Sequence, residues 1–310
     1  MKIFHSITDF SSARKTIVTL GTFNGVHIGH KKIIEKLLQS AAETGSESLI
    51  LTFFPHPRMV LQESSEIQLL NTLEEKIKLL ENSGLDNLII HPFDEAFSRL
   101  TAEEFVSKIL VEKFNIRKII IGHDHRFGRN RTANIDDLIV FGQTYGFEVE
   151  QISAQEIDAV SVSSTKIRNA LLEGNISLAN EYLGYPYLLT GTVVKGKQLG
   201  RTIGFPTANL HIAENYKLIP KIGVYVVQSV LEGKIVYGMM SIGTNPTVGG
   251  DSLTIEVYFF DFGADLYGQK IEISILDYIR DEEKFASVDL LKEKLYQDMD
   301  YSLSWIKSNG

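Results

Sequence analysis

The stretch TIVTLGTFNGVHIGHKKIIEKLLQ, residues 16–39, decides the reading of the fold. It opens on a short apolar run, Thr16 to Leu20, and closes on an amphipathic run, Lys31 to Gln39. Between them lies a glycine-rich turn holding Asn24, His27 and His30. The order is strand, tight turn, helix. A helix that starts near Val26–Gly29 sets His27 and His30 about one turn apart on one face. The first-turn N–H groups lack intrahelical partners and, with the helix dipole, attract anions. Gly25 and Gly29 let a phosphate approach the backbone closely. Histidines that donate to phosphate oxygens suit nucleotidyl transfer, where charge builds around a phosphorus. The plain alternative is a helix start with two surface histidines. A zinc site would need further ligands, and none is evident in the sequence.

Outward from this stretch, apolar strands and amphipathic helices alternate through residue 183. Strands are expected at 16–23, 48–54, 87–93, 118–123 and 147–153. Helices are expected at 30–43, 72–83, 102–114, 136–145 and 164–173. The strands are continuous apolar runs, such as Leu49-Ile-Leu-Thr-Phe-Phe54, as in strands buried on both faces. The alternation predicts a doubly wound parallel sheet with ligands beyond the carboxyl ends of its strands. After Leu183 the pattern changes to short strands at 188–194, 223–231, 234–242, 253–260 and 270–278. Glu232-Gly233 fits a tight hairpin. This spacing predicts an antiparallel barrel or sandwich. Val288, Leu291, Leu295 and Met299 form the stripe of a closing helix. The domains read as 1–183 and 184–310.

Composition narrows the function classes. A chain of 310 residues with 44% apolar and 23% charged residues fits an ordinary globular protein of about two domains. A net charge of −8 argues against a general electrostatic grip on nucleic acid. With no cysteine, disulfides, thiolate metal sites and cysteine nucleophiles are excluded. The start, MKIFHSITDF, lacks the apolar core of a signal peptide, and no apolar run reaches the ~20 residues of a membrane span. The expectation is a cytoplasmic protein.

Three later segments fall at predicted strand ends. They are Phe53-Phe-Pro-His-Pro57, Gly122-His-Asp-His-Arg-Phe-Gly-Arg129 and Ser161-Val-Ser-Ser-Thr-Lys-Ile-Arg168. The last brings hydroxyls, a lysine and an arginine to a helix N-terminus, which again suits phosphate. A stiff Pro-His-Pro turn and a serine N-cap are the plain alternatives.

With these pieces assembled, residues 21–30 resemble the signature of the HxGH nucleotidyltransferases. Together with Phe54–Pro57, Gly122–Gly128 and Ser163–Arg168 they resemble the FMN adenylyltransferase domain of bacterial bifunctional riboflavin kinase/FAD synthetases. The resemblance implies a Rossmann-like domain that binds ATP through Gly21, Phe23, Asn24, His27 and His30. It implies that Ser164, Thr165, Lys166 and Arg168 hold the leaving pyrophosphate. It implies that Phe54, His56, Pro57, Asp124 and Phe127 seat the flavin. FMN phosphate would attack the α-phosphorus of ATP directly, without a covalent intermediate. The family commonly has Asp where this chain has Asn24. Asn loses the charge, which leaves a capping or orienting role.

In the second half, Gly191-Thr-Val-Val-Lys-Gly-Lys-Gln-Leu-Gly-Arg-Thr-Ile-Gly-Phe-Pro-Thr-Ala-Asn209 spaces glycines for close approach to phosphates. Thr207 and Asn209 offer neutral oxygens able to face one Mg²⁺. Read alone, it also fits a glycine-rich barrel loop. The stretch resembles the riboflavin kinase signature. Gly223–Tyr225, Ile242–Val248, Glu256, Asp265–Gly268 and Arg280–Phe285 follow in matching order. The resemblance implies a six-stranded flavokinase barrel. It implies ATP on Gly196, Gly200, Arg201, Thr207 and Asn209, with Mg²⁺ on the last two. Glu256 would be the base for the ribityl hydroxyl, with Arg280 and Phe285 near the flavin. A carboxylate in a mostly apolar strand lies either on a solvated face or in a site. Ser241 stands where the family usually has Asn, and is expected to touch neither metal nor base.

The whole reads as an enzyme that uses ATP and Mg²⁺ to turn riboflavin into FMN and FMN into FAD. Its partners are small molecules, with no nucleic acid and no membrane. Two alternatives remain in the residues. His27-Ile-Gly-His30 is also a signature of class I aminoacyl-tRNA synthetases, though no Lys-Met-Ser-Lys-Ser loop is recognisable. A flavin-binding protein that kept the folds without the chemistry is the other.

Overall fold

A computed structural model describes residues 1–61, 67–122, 126–129, 132–152, 162–196, 199–247 and 250–309. The expected strand-end residues His123, Asp124, His125, Ser153, Ser161 and Val248 lie outside them. The chain forms two compact units, Met1–Ser164 and Thr165–Gly310.

The first unit carries a six-stranded parallel sheet. Its strands are β1 (Lys2–Phe4), β2 (Thr16–Leu20), β3 (Glu47–Phe53), β4 (Asn87–His91), β5 (Ile116–Gly122) and β6 (Glu148–Ile152). Their order is β1-β4-β3-β2-β5-β6. The order reverses between β2 and β5, which pair from Thr16/Ile116 to Val18/Ile119. In such sheets ligands bind at that reversal, beyond the carboxyl ends. The strands are apolar on both faces because both faces are covered. Val18, Leu49, Leu51, Ile89, Ile119 and Ile121 pack into one core. Their chain neighbours Ile17, Ile50, Leu88, Ile90 and Ile120 pack into the other. Each such buried aliphatic side chain contributes about 1.5–3 kcal/mol.

The helices are α1 (Ile28–Thr44), α2 (Pro57–Leu61), α3 (Leu73–Glu81), α4 (Glu95–Ser98), α5 (Ala102–Glu104) and α6 (Ile135–Tyr145). The expected helix at 102–114 is α5 followed by a π-helical stretch, Phe105–Val111. There Glu112 N–H donates to Ser107 O and Phe114 N–H to Ile109 O, five residues back. Phe105, Val106, Ile109 and Leu110 of this stretch are buried.

The second unit opens with α7 (Ser164–Glu173, whose first residue belongs to the first unit) and α8 (Ile176–Leu183). Strands β7 (Tyr187–Val194), β8 (Ala208–His211), β9 (Gly223–Leu231), β10 (Lys234–Thr247), β11 (Gly250–Phe259) and β12 (Lys270–Arg280) follow. They close into a barrel in the order β10-β11-β8-β7-β12-β9, with every pair antiparallel. Helix α9 (Leu199–Thr202) lies between β7 and β8, and α10 (Val288–Asn309) closes the unit. The sixth strand, β8, begins inside the Pro206–Asn209 motif and is too short for alternation to mark it in the sequence. The hairpin at Glu232-Gly233 has φ of 49° and 76°, as a type I′ turn requires.

The change of sequence period at residue 183 and the packing border differ. Asn180 ties α8 to the barrel, and Leu171 ties α7 to the second unit. Asn180 Nδ2 donates to Ile275 O at 2.9 Å, and its Oδ1 accepts the Tyr187 N–H at 2.8 Å. Lys221 N–H donates to Leu171 O at 3.0 Å.

Candidate active sites

The β2–α1 turn is built by unusual backbone. Phe23 and Val26 have φ of 47° and 36°, and Gly25 has 88°. Side chains seldom adopt the left-handed region, and local strain of this kind gathers at functional sites. The turn brings His27 to the N-cap of α1, where its Nδ1 accepts the His30 N–H at 3.4 Å. The two imidazoles stack with centroids 3.7 Å apart and planes 17° from parallel. Phe23 lies 5.0 Å from the His30 ring. Burial pushes the His27 pKa down to about 4. Burial, then the charges of His27 and Lys76, holds His30 well below the ordinary histidine value. Both rings are therefore neutral near pH 7. Because His27 Nδ1 accepts, its proton sits on Nε2, ready to donate. Among the described residues the buried His30 Nδ1 has no hydrogen-bond partner.

Asn24 is buried, and its Oδ1 accepts the Leu70 N–H at 2.8 Å. Its carbonyl accepts from Ser164 Oγ at 2.8 Å. Asn24 is thus held between the Leu70 N–H and the Ser164 hydroxyl. Gly21 N–H donates to Leu51 O at 3.1 Å, which holds the end of β2 against β3. Asn24, Phe54 and His56 line one pocket with Thr22, Phe53, Asn71 and Lys76, and Pro57 opens α2 beside it. Phe127 is buried in the core, with its ring 6.0 Å from that of Phe105. Thr165, Lys166 and Arg168 follow Ser164 on α7, in the second unit.

Lys76 belongs to none of the sequence motifs. It is 7% exposed, and its Nζ donates to Thr22 O at 3.3 Å and Thr52 Oγ1 at 3.2 Å. Burial lowers its pKa to about 8. A signal existed. Leu73, Lys76 and Leu80 are spaced i, i+3, i+7, so the lysine stands on the apolar face of α3.

In the second unit, β8 and β11 pair Asn209 with Glu256. Thr207 Oγ1 donates to Glu256 Oε2 at 2.8 Å. Ile255 and Val257 point into the core, so the half-buried Glu256 faces away from it. On that outward face it lies beside Thr207 and Asn209. Gly196 packs so closely on the Asn209 carboxamide that a Cβ would overlap it, and Gly200 lies as close to Phe205 O. Arg201 and Thr207 line a pocket with Val193, Phe259, Asp265 and Tyr267. Arg280 is held by Asp298 of α10 through two bonds, Nε–Oδ1 at 2.9 Å and Nη2–Oδ2 at 2.8 Å. Its guanidinium lies 5.8 Å from the Phe285 ring centroid. One expectation is corrected. Ser241 lies directly across from Glu256 in the β10–β11 register, so it neighbours the expected base.

Among the described residues no group of three or more His, Cys, Asp or Glu is arranged to hold a metal. Thr207 and Asn209 are hard oxygen donors suited to Mg²⁺. No described helix is long and apolar enough to cross a membrane.

Residues 9–166 match the FAD synthetase family, and residues 183–306 match the riboflavin kinase family. A bifunctional riboflavin kinase/FMN adenylyltransferase of Listeria monocytogenes is 39% identical over 91% of this chain and 90% of its own. One of Escherichia coli K12 is 35% identical over 96% of each. The crystal structure of a macrolide-efflux protein from Streptococcus pneumoniae superposes with a TM-score of 0.88 at 31% identity. It covers 98% of this chain and 99% of that one.

Proposed function

The chain belongs to the family of bifunctional riboflavin kinases/FMN adenylyltransferases, and on that premise we propose which residues carry its two reactions. It phosphorylates riboflavin to FMN with ATP, and adenylylates FMN to FAD with release of pyrophosphate. The adenylylation belongs to residues 1–183 and the phosphorylation to residues 184–310.

In the adenylylation, Gly21, Phe23, Asn24, His27 and His30 receive ATP. The supporting observation is the pair of neutral stacked imidazoles at the point where the sheet order reverses. His27 Nε2–H donates to a phosphate oxygen, and His30 assists from the first turn of α1. The phosphate of FMN attacks the α-phosphorus, the bond to the β-phosphate breaks, and pyrophosphate leaves. Donors already set around the phosphorus stabilise the charge that develops there. The same reading gives pyrophosphate to Ser164, Thr165, Lys166 and Arg168. It gives the flavin to Phe54, His56 and Pro57, with Phe127 shaping the site from the core.

In the phosphorylation, Gly196, Gly200, Arg201, Thr207 and Asn209 receive ATP. The supporting observation is the Thr207–Glu256 hydrogen bond. Thr207 spends its proton on the carboxylate, which leaves its oxygen lone pairs for a cation. Mg²⁺ held by Thr207 and Asn209 would neutralise charge on the β- and γ-phosphates. Glu256 orients the ribityl hydroxyl and takes its proton. Arg280, fixed by Asp298, and Phe285 border the flavin. The substrates are small molecules, the protein is cytoplasmic, and neither nucleic acid nor membrane takes part. A net charge of −8 argues against a general electrostatic grip on nucleic acid.

The test is a pair of variants in the full chain. His30→Ala should lose FAD formation and keep FMN formation. Glu256→Ala should lose FMN formation and still make FAD from supplied FMN. Loss of both activities in either well-folded variant would sink the assignment.

A further inference from the structure

Lys76 is buried on α3, its charge acts on His30, and neither reaction described so far gives it a role. An ammonium group has three donors. Two go to Thr22 O at 3.3 Å and Thr52 Oγ1 at 3.2 Å, both neutral acceptors. Among the described residues no carboxylate pairs with Lys76. A buried cation without a counter-ion is costly, and proteins seldom keep one on an apolar helix face. Here it is kept, in the wall of the pocket formed by Thr22, Asn24, Phe54 and His56. Its charge also reaches His30, whose proton affinity it lowers. The resting site thus presents one fixed positive charge, a donor to spare and two neutral imidazoles. What such a site lacks is an anionic oxygen.

We propose that Lys76 is a further catalytic residue of FMN adenylylation, whose ammonium holds a phosphoryl oxygen of the reacting phosphates. The proposal rests on adenylylation taking place at the His27–His30 turn. The transfer brings the FMN phosphate against the triphosphate of ATP, so two anions must meet. An ammonium between them offsets that repulsion as the new P–O bond forms and the bond to pyrophosphate breaks. Lys76 transfers no proton and stays an ammonium throughout. Its oxygen partner belongs to the FMN phosphate or to the α-phosphate of ATP, and kinetics separate the two. The rival role is a strut, in which Lys76 only ties the end of β2, through Thr22, to Thr52 of β3.

The test compares the full chain with Lys76→Met and Lys76→Arg, measuring both reactions, the melting temperature and the pH profile. Lys76→Met should lower kcat/KM for adenylylation by about 10²–10³-fold. Riboflavin phosphorylation should be unchanged. The melting temperature should hold or rise, since an unpaired buried charge has gone. In the wild type, kcat/KM for adenylylation should fall above pH of about 8 as the free lysine loses its proton. Lys76→Arg should carry that limb to higher pH. A raised KM for FMN assigns the oxygen to FMN, and a raised KM for ATP assigns it to ATP. Wild-type adenylylation in Lys76→Met overturns the proposal. So does a lowered melting temperature together with a pH limb that is the same in wild type and Lys76→Arg, which is the strut result. If His30→Ala also keeps adenylylation, the site itself is wrong. If His30→Ala is dead while Lys76→Met is active, only the role of Lys76 falls.

Discussion

Lowering the pH from 7 to 5 should weaken the first unit, and His27 sets the size of the effect. In an unfolded chain a histidine titrates near 6.5. In the folded protein burial holds His27 at about 4, with its ring stacked on His30 and its Nδ1 used as an acceptor. The sign follows from proton counting. Between about 6.5 and 4 the unfolded chain binds a proton that the folded chain refuses, so acid favours unfolding. Stability from this residue is complete above 6.5 and declines as the pH falls through that window. The loss is about 2 kcal/mol at pH 5 and about 3 kcal/mol at pH 4. His30, also held low by burial, adds in the same direction. The matched control is His27→Asn, because Asn keeps an N-cap acceptor and does not titrate. Urea unfolding followed by amide hydrogen exchange in β2 and α1 reads the first unit. Trp305 of α10 reports separately on the second. The wild type should lose about 2 kcal/mol more than His27→Asn between pH 7 and 5. Equal losses in the two proteins would refute the picture of a histidine kept neutral by its surroundings.

Two further outcomes follow from the second unit. Gly196→Ala adds a methyl where the Asn209 carboxamide already sits, so it should displace Asn209. Kinase kcat/KM for ATP should fall by on the order of 10²-fold with adenylylation untouched, read from steady-state rates of each reaction. Asp298→Ala removes the carboxylate that meets Arg280 in a buried pair whose side chains are 14% and 2% exposed. Breaking such a pair costs about 3–5 kcal/mol, measurable by urea unfolding of α10 through Trp305 fluorescence.

Much of this architecture is written in local pattern. Runs such as Leu49–Leu51 are apolar at consecutive positions, as strands covered on both faces require. The two cores confirm it by splitting odd and even positions of β3 between them. The helix start at Ile28, with His27 as its cap, is equally local. What the sequence hides depends on pairing between distant segments. Ser241 is an ordinary serine until the β10–β11 register sets it opposite Glu256. Strand β8 has four residues, too few for alternation to register, and exists because β7 and β11 flank it. Helices α7 and α8 continue the period of the first half yet are tied to the second unit, α7 through Leu171 and α8 through Asn180. Phe127 lies in a loop motif, and its burial in the core depends on Phe105 and other distant residues. Lys76 needed only its helical phase to be noticed, since nothing polar belongs between Leu73 and Leu80 on that face.

The central claim is that two separate sites in one chain perform two consecutive transfers. The most direct measurement mixes two defective chains, His30→Ala and Glu256→Ala, with riboflavin, ATP and Mg²⁺, and follows products by chromatography. Alone, His30→Ala should stop at FMN and Glu256→Ala should leave riboflavin unchanged. Mixed, the FMN made by the first should be adenylylated by the second, and FAD should accumulate. A mixture that makes no FAD, although each variant keeps the single activity expected of it, would contradict independent sites that share a released intermediate.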